Sequence, residues 1–540
     1  MKEATEQSKK AISSSGTINH LVMASALTLM FSTLSACKSS GSDGDTEVSD
    51  TTETTDDVVE ETVEQETLTE FDMALQTLID DRNLTANPAE NRSLPDIEDL
   101  LPQLGKKLFF SKSLGGGFDS ACVSCHHPAL GGADALSLPV GVEAVAPALL
   151  GEGRMHQSGL PPVPRNAPTV FNVGLWDTGL FFDSRVESIG KEPETNGSIS
   201  GIRTPDSSFF VADSDAGQNL AAAQARFPVT SANEMKTDAF ENGSDNSTIR
   251  DHLAARLGDY GVGTNELAVN NWLPEFQEAF ATTDSAENLI TFDSIAHAIG
   301  EYERSMVFVD TPWHRYVAGN IDAITEQQKQ GAILFFTPSN EGGAGCSACH
   351  NGPLFSDGRH HTVAFPQFGP GKGDTNNDDF GRERETGDSD DRYRYRTPSL
   401  LNIALTAPYG HTGAYETLQQ VVGHYRNAER SVENFFDRGA WCQLTQFDST
   451  TNCTTLYPDS ENNSQLAINK LNTERQAGQS LFQPARLSND ESEQLITFLE
   501  ALTDDCAANR TCLEPWVADP SDSGPDNQQL NAVDDQGSPL

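Results

Sequence analysis

The sequence is poor in long apolar runs, in basic residues, in methionine and in strand-like alternation. Its most apolar stretch, Leu21 to Leu34, falls short of the roughly 20 residues that a membrane-crossing helix needs. Lysine and arginine number 35 against 80 aspartates and glutamates, a net charge of −45, which disfavours nucleic acid and anionic membrane surfaces and favours a basic partner or cations. Adaptation to a salty habitat is an equal explanation of that acidity. Only seven methionines occur and none follows Met306, so the C-terminal part has no thioether to offer a metal. Apolar residues rarely alternate with polar ones over strand length, which argues against an all-β chain.

Against these absences stand two copies of C-x-x-C-H, Cys122-Val123-Ser124-Cys125-His126 and Cys346-Ser347-Ala348-Cys349-His350. Two thiols at this spacing add across the two vinyl groups of one porphyrin, and the adjacent histidine then reaches the iron. The pattern predicts two covalently attached haems c. Zinc knuckles or redox C-x-x-C sites are the plainer competing reading.

The remaining cysteines fit an exported, oxidised protein. Cys37 closes Leu34-Ser35-Ala36-Cys37, which resembles a bacterial lipoprotein signal with its lipobox. Residues 1–37 are expected to be a signal peptide with lipobox, the mature chain beginning at Cys37 as a lipid-anchored periplasmic protein, outer-membrane bound; a plain cleaved signal peptide competes with this reading. Cys442 with Cys453 and Cys506 with Cys512 form close pairs that an oxidising compartment would join, the alternative being four buried thiols. Residues 38–70, with twelve acidic side chains and one lysine, are expected to be a disordered acidic tether. Residues 517–540, with five aspartates and no base, are expected to be a disordered acidic tail.

An internal repeat divides the middle. Leu104-Gly105-Lys106-Lys107-Leu108-Phe109-Phe110 precedes the first motif and Gly331-Ala332-Ile333-Leu334-Phe335-Phe336 the second, each ending an expected amphipathic helix, Asp96 to Leu108 and Thr325 to Phe335. Further helices are expected over Ser285 to Val307, Leu418 to Tyr425 and Glu491 to Leu502. The expected fold is all-α, with two cytochrome c-like domains, 71–325 and 326–516, and loop-rich insertions concentrated between 145 and 325.

The chain resembles the bacterial diheme cytochrome c peroxidase family, including its MauG-like branch, over about residues 96 to 505. The resemblance rests on the Leu104–Phe110 block, on Pro128 and Gly131-Gly132-x-Asp134 after the first motif, and on Arg165-Asn166-Ala167-Pro168-Thr169. Phe181-Phe182-Asp183-Ser184-Arg185, Pro228-Val229-x-x-x-Glu234-Met235 and Arg396-Thr397-Pro398-Ser399-Leu400 through Leu405-Thr406-Ala407-Pro408-Tyr409 complete it. It implies hydrogen peroxide as substrate, a small redox protein such as cytochrome c as electron donor, a peroxidatic first haem and an electron-transfer second haem. A MauG-type oxidation of a partner protein and a non-catalytic diheme carrier stand beside this reading.

The resemblance also implies roles for single residues. Val142 matches the position of a ligating histidine in many family members, which predicts an open first haem, with His127 and His156 as alternative ligands. Glu234 matches the catalytic glutamate. Tyr425 matches the distal ligand of the second haem; His424, one residue away, is the alternative, and His411, His360 and His361 are weaker ones. Phe182 stands where the family carries a bridging tryptophan, and Trp176 lies nearby in sequence. Asn166 and the carbonyls of Thr406 and Pro408 match an interdomain calcium site, for which oxygen donors are suitable. The acidic cluster Asp374 to Asp379 suits a solvated loop equally well.

Overall fold

The computed structural model describes residues 68–540. The expected signal, Cys37 and nearly all of the acidic tether lie outside those residues. Helices and short helical turns dominate. Among the described residues, strands are confined to a three-stranded antiparallel set, Gly179–Leu180, Val186–Ser188 and Ile202–Arg203, and a two-stranded pair, His360–Thr362 with Arg394–Arg396.

The internal repeat becomes two matching helix crossings. Leu100–Phe109 buries Leu104, Leu108 and Phe109 on one face, at the helical spacing of i and i+4, and packs on Phe292–Ser305. Glu326–Phe336 packs in the same way on Asn489–Glu500. Each crossing is closed around a glycine. A Cβ at Gly105 would overlap the carbonyl of Ala298 and crowd Tyr302; one at Gly331 would overlap the carbonyl of Gln494 and crowd Phe498. Tyr302 and Phe498 therefore occupy equivalent places, and both are fully buried. Capping boxes at Thr291, Thr325 and Ser488 start three of the four helices where the chain turns out of the core.

The expected continuous helix from Ser285 to Val307 is broken into Ala286–Leu289 and Phe292–Ser305. Thr291 accounts for the break, because its hydroxyl accepts from the Ser294 N–H at 3.3 Å and so caps a new helix. The first expected helix likewise starts at Leu100 rather than Asp96. Both expected disulfides, Cys442–Cys453 and Cys506–Cys512, are formed. The first staples a satellite core in which Phe368, Trp441 and Phe447 pack together.

The expectation of a disordered 517–540 tail is corrected. The segment folds back on the first half, and Asp526 is 3% exposed, accepting from Trp272 Nε1 at 2.7 Å and Ser113 Oγ at 2.6 Å. Backbone bonds from Leu530 N to Phe110 O and from Lys112 N to Gln528 O continue the attachment. Composition foretold a solvated segment, but one aspartate found buried donors and two apolar residues, Leu530 and Ala532, joined the core.

Candidate functional site

Each C-x-x-C-H motif opens with a short helical turn, Cys122–Ser124 and Cys346–Ala348, that brings its two cysteines and histidine onto the wall of one cavity. All four thiols are free of disulfides. His126 Nδ1 lies 3.3 Å from the Gly132 carbonyl and His350 Nδ1 lies 3.0 Å from that of Phe355. Donation to a carbonyl fixes the tautomer and leaves Nε2 as the ring nitrogen with a lone pair. Burial pushes both imidazoles down, His126 to about 4, so both are neutral near pH 7. The walls of both cavities are largely apolar. Two thiols, one neutral imidazole and an apolar wall fit a covalently attached haem in each.

The first cavity carries the titratable groups. Glu234 enters it from a π-helical turn, Ala232–Lys236. Gly141 packs so closely on that turn that a Cβ there would overlap the carbonyls of Asn233 and Glu234. Burial raises the Glu234 carboxyl, while Arg185 and Lys372 in the same cavity pull it back. Glu303 also faces the cavity, and burial pushes it up to about 8. Val142 donates its N–H to Asn233 O at 3.4 Å and lies behind the wall, to which the same segment contributes Pro139. Among the described residues, His126 is the only histidine on this cavity.

Both alternative ligands of the first site point elsewhere. His127 is buried, packs edge-on against Phe110 and accepts from Ala129 N at 3.1 Å. His156 bonds Ser158 Oγ at 2.7 Å.

Tyr425 lines the second cavity, and burial raises its hydroxyl pKa. Its neighbour His424 is turned away, with Nδ1 3.0 Å from Tyr415 Oη and Nε2 2.8 Å from Val363 O, so both ring nitrogens are engaged. His361 and His411 also line this cavity; His361 Nε2 pairs with Asp357 at 2.8 Å, and His411 stacks on Tyr395. Cys349, Asp357 and His361 come close enough to resemble a metal cluster, but Cys349 belongs to the attachment motif. His360 bonds Ser184 Oγ and does not line this cavity.

A third cavity lies between the other two and shares residues with both. Phe182 lines all three, and its carbonyl accepts from Arg396 N at 2.7 Å. Trp176 borders the middle cavity beneath the Arg396 guanidinium, 4.0 Å from its ring centroid. Asn166, Thr406 and Pro408 line it as well. Asn166 Nδ2 donates to Leu136 O at 2.8 Å, which leaves Oδ1 as the amide's oxygen donor. These neutral oxygens fit the donor chemistry of calcium.

Lys372, absent from the sequence reading, sits in Gly369-Pro370-Gly371-Lys372-Gly373. Nothing in its local sequence connects a lone lysine between glycines with Glu234.

A profile described as di-haem cytochrome c peroxidase matches residues 101–322. The cytochrome c551 peroxidase of Pseudomonas aeruginosa is 30% identical over 332 residues, spanning 61% of this chain and 72% of that protein. The methylamine utilization protein MauG of Methylorubrum extorquens is 27% identical over 336 residues, spanning 61% and 70%. The crystal structure of the diheme peroxidase BthA from Burkholderia thailandensis aligns with a TM-score of 0.48 at 20% identity, over 78% of this chain and 90% of that one.

Proposed function

The chain belongs to the di-haem cytochrome c peroxidase family, and from that premise we propose how its residues divide the reduction of hydrogen peroxide between two sites. It is an oxidoreductase: one H2O2, two electrons and two protons give two waters. In our reading residues 71–325 and 326–516 are two cytochrome c-like domains, each holding one haem c through thioethers at Cys122 and Cys125 or at Cys346 and Cys349. His126 and His350 would hold the irons through Nε2. Once bound, the haems would supply redox-active iron, for peroxide chemistry at the first site and for electron relay at the second.

The protein's part at the first site is proton management. Glu234 takes a proton from one peroxide oxygen and returns it to the other as the O–O bond breaks. A carboxyl raised by burial but still near cations is suited to both directions of that transfer. At the second site Tyr425 would be the further residue holding the iron, a choice supported by its place on the cavity wall and by the engagement of both His424 nitrogens. Phe182 bridges the sites, and calcium is held by Asn166 Oδ1 with the Thr406 and Pro408 carbonyls. Electrons come from a small basic cytochrome drawn to the acidic body, and the protein works in the periplasm on a lipid carried by Cys37.

The observation that carries this division of labour is that Glu234 faces the first cavity and not the second. Glu234→Gln keeps the side chain's size but cannot shuttle a proton, so turnover should fall by about 10²- to 10⁴-fold with both haems retained. Turnover within threefold of wild type, measured with reduced cytochrome c as donor, rejects the assignment. Ferric spectra showing six-coordinate iron at both sites and no reaction with peroxide favour an electron carrier instead.

A further inference from the structure

We propose that Lys372, contributed by the chain after the second C-x-x-C-H motif, joins Arg185 in an anion-binding subsite of the first cavity that holds the hydroperoxide anion. This deepens the peroxidase reading and rests on it. Both cations line the cavity with Glu234. Arg185 has Asp183 beside it at 3.3 Å, whereas no ion pair engages the Lys372 ammonium among the described residues. A lysine brings a compact charge with three donors, which suits a small anion of variable orientation.

The backbone is built to deliver this side chain. Gly369 and Gly371 adopt φ of +102° and +67°, the left-handed region that favours glycine. A Cβ at Gly371 would overlap the carbonyl of Asn377, and one at Gly369 would come within 2.6 Å of Leu138 Cδ1. Lys372 N donates to Asp378 O at 3.1 Å, and the next residue, Asp379, is clamped by Arg165. The loop is thus tied to the first half on both sides of the lysine.

Charge accounting supports the same ligand. Arg185 and Lys372 line the cavity with Glu234 and with Glu303, which burial keeps mainly neutral, while Arg165 is paired with Asp183 and Asp379. When H2O2 gives its proton to Glu234, that carboxylate becomes neutral and the hydroperoxide anion takes over its negative charge. The cations remain balanced only if the anion stays beside them, and between largely apolar walls that attraction is stronger than in water. Burial and the two arginines lower the Lys372 ammonium to about 8, so it is still mainly charged at neutral pH.

The test uses the ferric holoprotein, with fluoride as a small anionic probe and imidazole as a neutral one, each titrated against the first-haem spectrum. Lys372→Met should weaken fluoride by roughly 10- to 100-fold, the loss of a charge-assisted hydrogen bond. It should leave imidazole within threefold and raise the KM for peroxide. Lys372→Arg, which keeps the charge, should retain fluoride within about fivefold. If fluoride binds Lys372→Met as it binds wild type, or if fluoride and imidazole weaken alike, the anion subsite is wrong while the peroxidase reading stands. If wild type itself neither binds fluoride nor reacts with peroxide, the peroxidase reading fails and takes the subsite with it.

Discussion

Asp379→Asn tests the clamp that joins the two halves beside the first cavity. Arg165 donates through Nε and one terminal nitrogen to both Asp379 carboxylate oxygens, at 2.6 and 2.7 Å, and through the other to Asp183 at 2.6 Å. All three residues are buried. Burial raises the Asp379 carboxyl, and Arg165 overcomes that, holding it at about 2 against 3.8 in an unfolded chain. That difference contributes about 2.4 kcal/mol at neutral pH. The asparagine keeps the shape but leaves a buried guanidinium with Asp183 as its main counter-ion. Breaking a buried pair outright costs about 3–5 kcal/mol; with Asp183 still present we expect about 2–3 kcal/mol. The sign of the pH dependence follows from the lowered pKa. The stabilisation is fully present above pH 4 and is lost as pH falls through about 2, so the gap between wild type and variant should be flat from pH 7 to about pH 4.5 and narrow below. Urea titrations of the holoprotein followed by circular dichroism at several pH values measure it. A gap under about 0.5 kcal/mol at pH 7, or one that widens on acidification, refutes the reasoning.

Two further predictions concern the second site and the bridge. Tyr425→Phe should turn the second haem from low-spin to high-spin in electron paramagnetic resonance and raise its potential, because an anionic oxygen that favours ferric iron is gone. His424→Ala should leave the ligand field unchanged but cost about 1–3 kcal/mol, since it strands the buried Tyr415 hydroxyl and Val363 carbonyl. An unaltered second haem in Tyr425→Phe rejects that ligand, and loss of the low-spin signal in His411→Ala would move the assignment to His411. Phe182→Trp places an oxidisable indole where all three cavities meet and should speed electron transfer between the haems in stopped-flow spectra. An unchanged rate means that the route runs elsewhere, with Trp176 under Arg396 the next candidate.

The two C-x-x-C-H motifs were legible from the sequence because thioether formation and iron ligation need their three residues contiguous, so the pattern is the same wherever the fold puts it. The paired helices were legible for a similar reason, since a helical face repeats locally and Gly105 and Gly331 mark the same crossing in the two halves. The disulfides followed from close spacing within an oxidised chain. What tertiary structure alone decided concerns residues far apart in the chain or side chains whose direction a neighbour controls. Tyr425 and His424 differ by one position, and only packing turns one to the cavity and the other to Tyr415. The tail from 517 to 540 has a composition that predicts solvation, yet Asp526 is buried because Trp272 and Ser113 present donors at the right place. Arg165 meets Asp379 across 214 residues, and the same loop carries Lys372 to Glu234. No local pattern encodes such a meeting: the energy that holds an ion pair or fills a cavity depends on distance in space, which loop closure and core packing establish after the local elements have formed.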